Sequence, residues 1–187
     1  MSEVRSGLEP THISVIPTRE DVSKLVAALQ QSKDINTDQK AAQGYKNLFT
    51  AIFTSSPNPE DSSVKAIHVL TPEEFTNVKK TVNALFLQCT LTEPTNFYRS
   101  KKTGKTHEHW GSEFSGTTLN PTQVYILVNK FGLLDGVKKT YIQIGRSLDV
   151  SPTRSRQLTF RALRKIRNSD MFKKLESDIF KFKQKPG

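Results

Sequence analysis

Apolar residues recur at three- and four-residue intervals along most of this chain, the spacing that lines one face of an α-helix. Val22, Leu25, Val26 and Leu29 form the first such stripe, and Thr18 followed by Asp21 supplies an N-cap with an acid in the first turn. A second helix is predicted over residues 37–53, where Tyr45, Leu48, Phe49, Ile52 and Phe53 share a face. The turn-rich SSPNPEDSS, Ser55 to Ser63, ends it. The third has the fullest boundary signals. Thr71 can cap it, Pro72 suits its first position, and Glu73 and Glu74 suit the positive end of the helix dipole. Phe75, Val78, Val82, Leu85 and Phe86 then line one side to about Cys89.

Periodicity is lost at both margins of this half. Residues 1–17 read as an arm, with the HISVI run, His12 to Ile16, as a short-strand candidate. Residues 91–118 mix Pro, Gly, Ser and Thr with scattered aromatics and read as a long connection. The GKT at Gly104 to Thr106 is not a phosphate-binding loop, because Arg99 stands where that motif needs a glycine. His107, Glu108 and His109 lack the four-residue spacing of a helical zinc pair and an obvious third ligand, so they read as a polar loop. Trp110 and Phe114 read as residues that pack this loop onto a domain.

From Leu119 the helical signals become dense. Asn120 and Pro121 open a helix carrying Val124, Leu127, Val128 and Phe131, and Gly132 permits the positive φ that closes it. After LLDGVKK, Thr140 and Gln143 fit a capping box, with Tyr141, Ile144 and Leu148 facing inward. Gly145 stands mid-helix, where it costs about 1 kcal/mol relative to alanine, so close approach of a neighbouring helix is expected. Asp149 and Val150 form a tight turn, and Ser151 with Pro152 starts the next helix. Helix, short turn and helix make a helix-turn-helix pattern. A terminal helix follows with Met171, Phe172, Leu175 and Ile179 on a stripe that reads as core.

The resulting fold class is all-α: a helical unit over residues 1–90, a linker over 91–118 and a helix-turn-helix unit over 119–187. Net charge changes what this layout means. The chain of 187 residues carries +10, and residues 119–187 hold fifteen Lys and Arg against five acids, while the first 118 residues balance. A single-sign field confined to one segment marks a polyanion-binding module, with nucleic acid the commonest polyanion and an anionic membrane surface the competitor. Residues 151–167 hold six Lys and Arg and no acid. At 100° per residue, Leu158, Ala162 and Ile166, with Leu163 beside them, form the buried stripe of that helix. Thr153, Gln157, Arg161 and Arg164 fall opposite, with Arg154 at their edge. Arg reads guanine or binds phosphate, Gln reads adenine, and Thr touches a base or a thymine methyl, so double-stranded DNA is the expected partner. Lys165 and Arg167, further along, are expected to reach the DNA backbone.

Other chemistry finds little support in the residues. No clustered carboxylates or activated hydroxyl suggest an enzyme, and no cofactor or metal is implied. No apolar run has the length of a membrane span, and MSEVRSGLEPTH lacks the form of a signal peptide. The single Cys89 suits a reducing compartment, so a cytoplasmic location is expected.

The stretches LNPTQVYILVNKFGLLDG and YIQIGRSLDVSPTRSRQLTFRALRKIR resemble region 4 of the housekeeping-type bacterial sigma factors, the domain that recognises the minus-35 promoter element. The resemblance covers Leu119 to Arg167, about fifty of the 187 residues, with FGL, IG, the Arg and Gln pair and ALRKIR in the family's order. It implies that Arg154, Arg156 and Gln157 face the groove or its phosphates and that Arg161, Arg164 and Lys165 support backbone binding. It also implies RNA polymerase as a partner. Pro152 and Thr153 replace the family's usual Arg and Glu, so the family's base reading is altered. Phe160 replaces a small residue on an exposed face, which points to a protein contact or a changed fit. The melting and clamp-binding helices of a complete sigma factor have no counterpart in residues 1–118. That half is therefore expected to serve protein contacts, homodimer formation among them. The expectation is a DNA-binding transcription regulator; the alternative is a polymerase-associated adaptor with little sequence reading of its own.

Overall fold

The computed structural model of the chain describes residues 17–31, 35–54, 70–91, 96–99, 106–109 and 118–183. Its elements in order are α1 (Arg19–Gln31), α2 (Ile35–Thr54), α3 (Pro72–Leu91), β1 (Asn96–Arg99), β2 (Thr106–His109), α4 (Pro121–Phe131), α5 (Tyr141–Leu148), α6 (Pro152–Asn168) and α7 (Asp170–Lys183). The packed body is all-helical. The candidate strand His12 to Ile16, the Ser55 to Ser63 break, Trp110 and Phe114 lie outside the described residues.

Local chemistry sets most of the helix starts. At α1 the Thr18 amide donates to Asp21 Oδ2 at 2.8 Å and the Asp21 amide donates to Thr18 Oγ1 at 3.2 Å, a reciprocal cap. These Thr18 donors hold the Asp21 carboxyl below its usual range. Thr71 and Glu74 repeat the arrangement at α3, with distances of 2.8 and 3.2 Å.

The connection predicted over residues 91–118 is not wholly irregular. β1 and β2 pair antiparallel, from Asn96 opposite His109 to Arg99 opposite Thr106. Each strand has four residues, too few for an alternating pattern to emerge from a polar background. His107, Glu108 and His109 therefore lie in a strand, not in a loop.

The helices on either side of this hairpin meet in one hydrophobic cluster. Val26 of α1, Leu48 and Phe49 of α2, Val82 and Phe86 of α3, Leu127 of α4, Leu163 of α6 and Phe172 of α7 all belong to it. The Phe172 ring lies 5.6 Å from Phe49 and 5.4 Å from Phe53, so the terminal stripe is core, as its spacing suggested. α1, α2 and α3 thus bury their apolar faces against α4, α6 and α7. Buried beside them, the Tyr45 hydroxyl donates to Asn83 Oδ1 at 2.7 Å, and burial pushes its pKa above the usual phenol range.

Gly44 makes one close approach between α2 and the end of α4. A β-carbon there would lie 2.5 Å from the carbonyl oxygen of Phe131, at the end of α4. Helix propensity alone favours Gly44→Ala by about 1 kcal/mol. The packing predicts the opposite sign, a net loss of about 1–3 kcal/mol, read as a lower melting temperature of the full chain.

Candidate nucleic-acid interface

The candidate site is the outer face of α6, and the order in it originates in the two helices before it. Asn120 and Gln123 cap α4 reciprocally, with Asn120 Oδ1 accepting from the Gln123 amide at 2.9 Å. At the other end Gly132 adopts φ 63° and the Leu133 amide donates to Val128 O at 3.0 Å. Leu133 and Val128 are both buried there, which closes the helix with an apolar contact. Thr140 and Gln143 form the predicted capping box of α5. Ile144 and Leu148 then pack with Ile126 of α4, flanked by Tyr125, Val150 and Leu158, which holds α5 against both α4 and α6.

The turn into α6 is short because Asp149 takes the left-handed conformation, φ 53° and ψ 45°. Val150 N–H donates to Gly145 O at 2.9 Å, so the chain doubles back over the last turn of α5. Asp tolerates this conformation better than most L-residues. The predicted close approach at Gly145 is therefore the backbone of the turn itself. A β-carbon there would lie 2.6 Å from Val150 O, with Ser155 Oγ of α6 at 3.2 Å. Ser151 Oγ accepts from the Arg154 amide at 3.1 Å, and Pro152 fills the first turn.

α6 has 17 residues, about 25 Å of helix, and its two sides differ completely. Ser155, Thr159, Ala162, Leu163 and Ile166 are buried. The hydroxyls of Ser155 and Thr159 donate to the carbonyls one turn back, at 3.3 and 2.9 Å, which lets polar residues stand in an apolar contact. Leu158, expected in this stripe, is half-buried, whereas the smaller Ser155 and Thr159 are buried. Thr153, Arg154, Arg156, Gln157, Phe160, Arg161 and Arg164 are all exposed. Gln157, nine residues from buried Ile166, stands diametrically opposite it. Arg154, Arg156, Arg161 and Arg164 make no ion pair among the described residues.

Two predicted site residues are placed differently. Lys165 is turned to the flank, where its ammonium donates to Thr118 O at 2.8 Å. Burial there lowers its pKa. It ties α6 to the chain entering α4. Arg167 is half-buried. Sequence reasoning assigned no role to Ile142 and Arg146, exposed on α5, which border a shallow concavity with Val150 and Pro152 at the turn. Neither breaks the helical pattern, so only the packing of α5 beside α6 reveals them. Lys130 lies 4.1 Å over the Tyr141 ring, and burial and then the charge of Lys138 lower its pKa.

Among the described residues no group of three or more His, Cys, Asp or Glu is placed to hold a metal ion, and no helix is long and apolar enough to cross a membrane. What the arrangement offers is a rigid, acid-free face of arginine, glutamine and threonine on a helix fixed by a three-residue turn. No family model and no solved structure matches the chain. A segment of 59 residues, 32% of the chain, is 39% identical to the RNA polymerase sigma factor SigA of Clostridium acetobutylicum. The match spans 16% of that protein's length. About a third of this chain is therefore similar to part of a sigma factor.

Gly145→Ala is predicted to destabilise the chain by about 1–3 kcal/mol, because Val150 O has to move. Lys165 gives a pH signature. Its folded pKa lies below the ordinary 10.5, so between the two values the unfolded chain binds more protons and stability rises with pH. The stability difference between the native chain and Lys165→Met is expected to shift toward the native chain as pH approaches 10.5 in denaturant titrations. A pH-independent difference contradicts the buried ammonium.

Proposed function

We propose that this chain is a non-enzymatic regulator of transcription that binds double-stranded promoter DNA through the exposed face of α6. The observation that carries the reading is the joint exposure of Arg154, Arg156, Gln157, Arg161 and Arg164 on a helix without acids, anchored by its opposite side. Thr153, Arg154 and Gln157, nearest the amino end and centre of the face, are suited to base edges in the major groove. Arg161 and Arg164, further along, are suited to phosphates. Like charges this close repel one another in the free protein, and a phosphate backbone relieves that repulsion. The similarity supports the same reading: the matched protein is named an RNA polymerase sigma factor.

Association with RNA polymerase is the second reading, and the same matched segment favours it. The apolar stripe of α7 does not furnish the surface, since Phe172, Leu175 and Ile179 are buried. Co-purification of the full chain with polymerase, in the presence and absence of duplex, separates the two partners. The apolar stripes of α1, α2 and α3 lie within the shared core, so self-association through the first half is not part of this reading.

Phosphate binding makes log affinity fall linearly with log salt, with a slope of about −0.9 per neutralised phosphate. Arg161→Ala and Arg164→Ala are each expected to reduce that slope by about one and weaken all sequences alike. Gln157→Ala is expected to leave the slope unchanged and relax the preference at one base pair, by about 1–3 kcal/mol. Titrations of labelled duplexes from low to moderate salt measure both, and an absence of binding at low salt refutes the proposal.

A further inference from the structure

Charge does not explain Phe160. It is 44% exposed and belongs to neither hydrophobic cluster. Among the described residues it is the one large apolar side chain exposed on α6; the others, Leu87, Leu91, Val137 and Ile142, lie elsewhere. Its neighbours one turn away on the helix surface are Arg156, Gln157 and Arg164, all exposed. The ring is thus inset in the polar face, with Arg156 between it and buried Leu163. The Arg156 guanidinium lies 5.6 Å from the ring centroid, within the range of a cation–π contact.

We propose that Phe160, steadied by Arg156, reads the 5-methyl group of a pyrimidine in the major groove, thymine above all. The inference rests on the reading of α6 as a major-groove element. A thymine methyl is the apolar feature of the major-groove edge, and phenylalanine is one of the side chains suited to touch it. Gln157 and Phe160 are three residues apart, about 4.5 Å along the helix axis, which compares with about 3.4 Å between base pairs. The amide and the ring therefore address neighbouring pairs. A guanidinium held over the ring at that distance keeps its N–H groups available for a guanine or a phosphate. The face then carries one apolar reader among hydrogen-bonding ones, and the preferred site is marked by where its methyl groups stand.

The test uses the full chain and duplexes recovered by it from a random pool. Each thymine is replaced in turn by deoxyuridine, which deletes the methyl and keeps every hydrogen-bonding group. Removal at one or two positions is expected to weaken binding by about fourfold, the worth of one buried methyl-sized group. The loss should vanish in Phe160→Ala and persist in part in Phe160→Leu. Phe160→Ala should melt close to the native chain, because the ring is 44% exposed and outside the buried core. Binding that ignores deoxyuridine at every thymine, or an equal loss in native chain and Phe160→Ala, overturns methyl reading and leaves α6 as a DNA-binding surface. Unchanged duplex binding by Phe160→Ala with lost polymerase association assigns the ring to a protein partner and also overturns it. Failure to bind any duplex removes the proposed function itself.

Discussion

Burial of Ser155, Thr159, Ala162, Leu163 and Ile166 along one side of α6 is the constraint from which the other features follow. A helix fixed on that side has no rotational freedom left, so its arginines and Gln157 face outward. Two contacts of different kinds enforce it. Apolar packing against α2, α4 and α7 holds the carboxyl-terminal half, through Ala162, Leu163 and Ile166. The tight turn over Gly145 holds the beginning, where Val150 O and Ser155 leave no room for a β-carbon.

The first half of the chain enters this scheme as structural support. Gly44 sits against the carbonyl of Phe131, and Phe49 and Phe53 meet Phe172, so α2 braces both ends of the basic segment. A 69-residue segment with an excess of ten positive charges is under self-repulsion that destabilises the compact state. Neutral helices that complete its core offset that tendency without adding acids to the exposed face. The separation of roles is electrostatic: one half supplies buried area, the other supplies charge.

Much of this was legible in the sequence because it is local. Caps at Thr18, Thr71, Asn120, Thr140 and Ser151 act within one turn, and each is where residue chemistry placed it. Periodicity likewise identified the inward and outward sides of α6. What periodicity leaves open is which element a given face meets. The stripes of α1, α2 and α3 look the same whether they close on themselves or on a neighbour, so the shared core was not visible. Ser155 and Thr159 were missed as core residues because their polarity hid a requirement for small size. Lys165 was assigned to the DNA backbone by its position on the helix, yet its long side chain reaches back to Thr118 O. The hairpin at residues 96–109 escaped notice because four-residue strands carry too little pattern.

In the proposed complex the outward side of α6 receives a duplex while its inward side stays packed. Amide-resolved NMR of the full chain, titrated with an enriched duplex at moderate salt, tests it most directly. Shifts are expected to concentrate at Ser151 to Arg164 and the adjoining end of α5, with the amides of Val82, Phe86 and Phe172 unmoved. Shifts centred on α3 and α7 with α6 silent would contradict it.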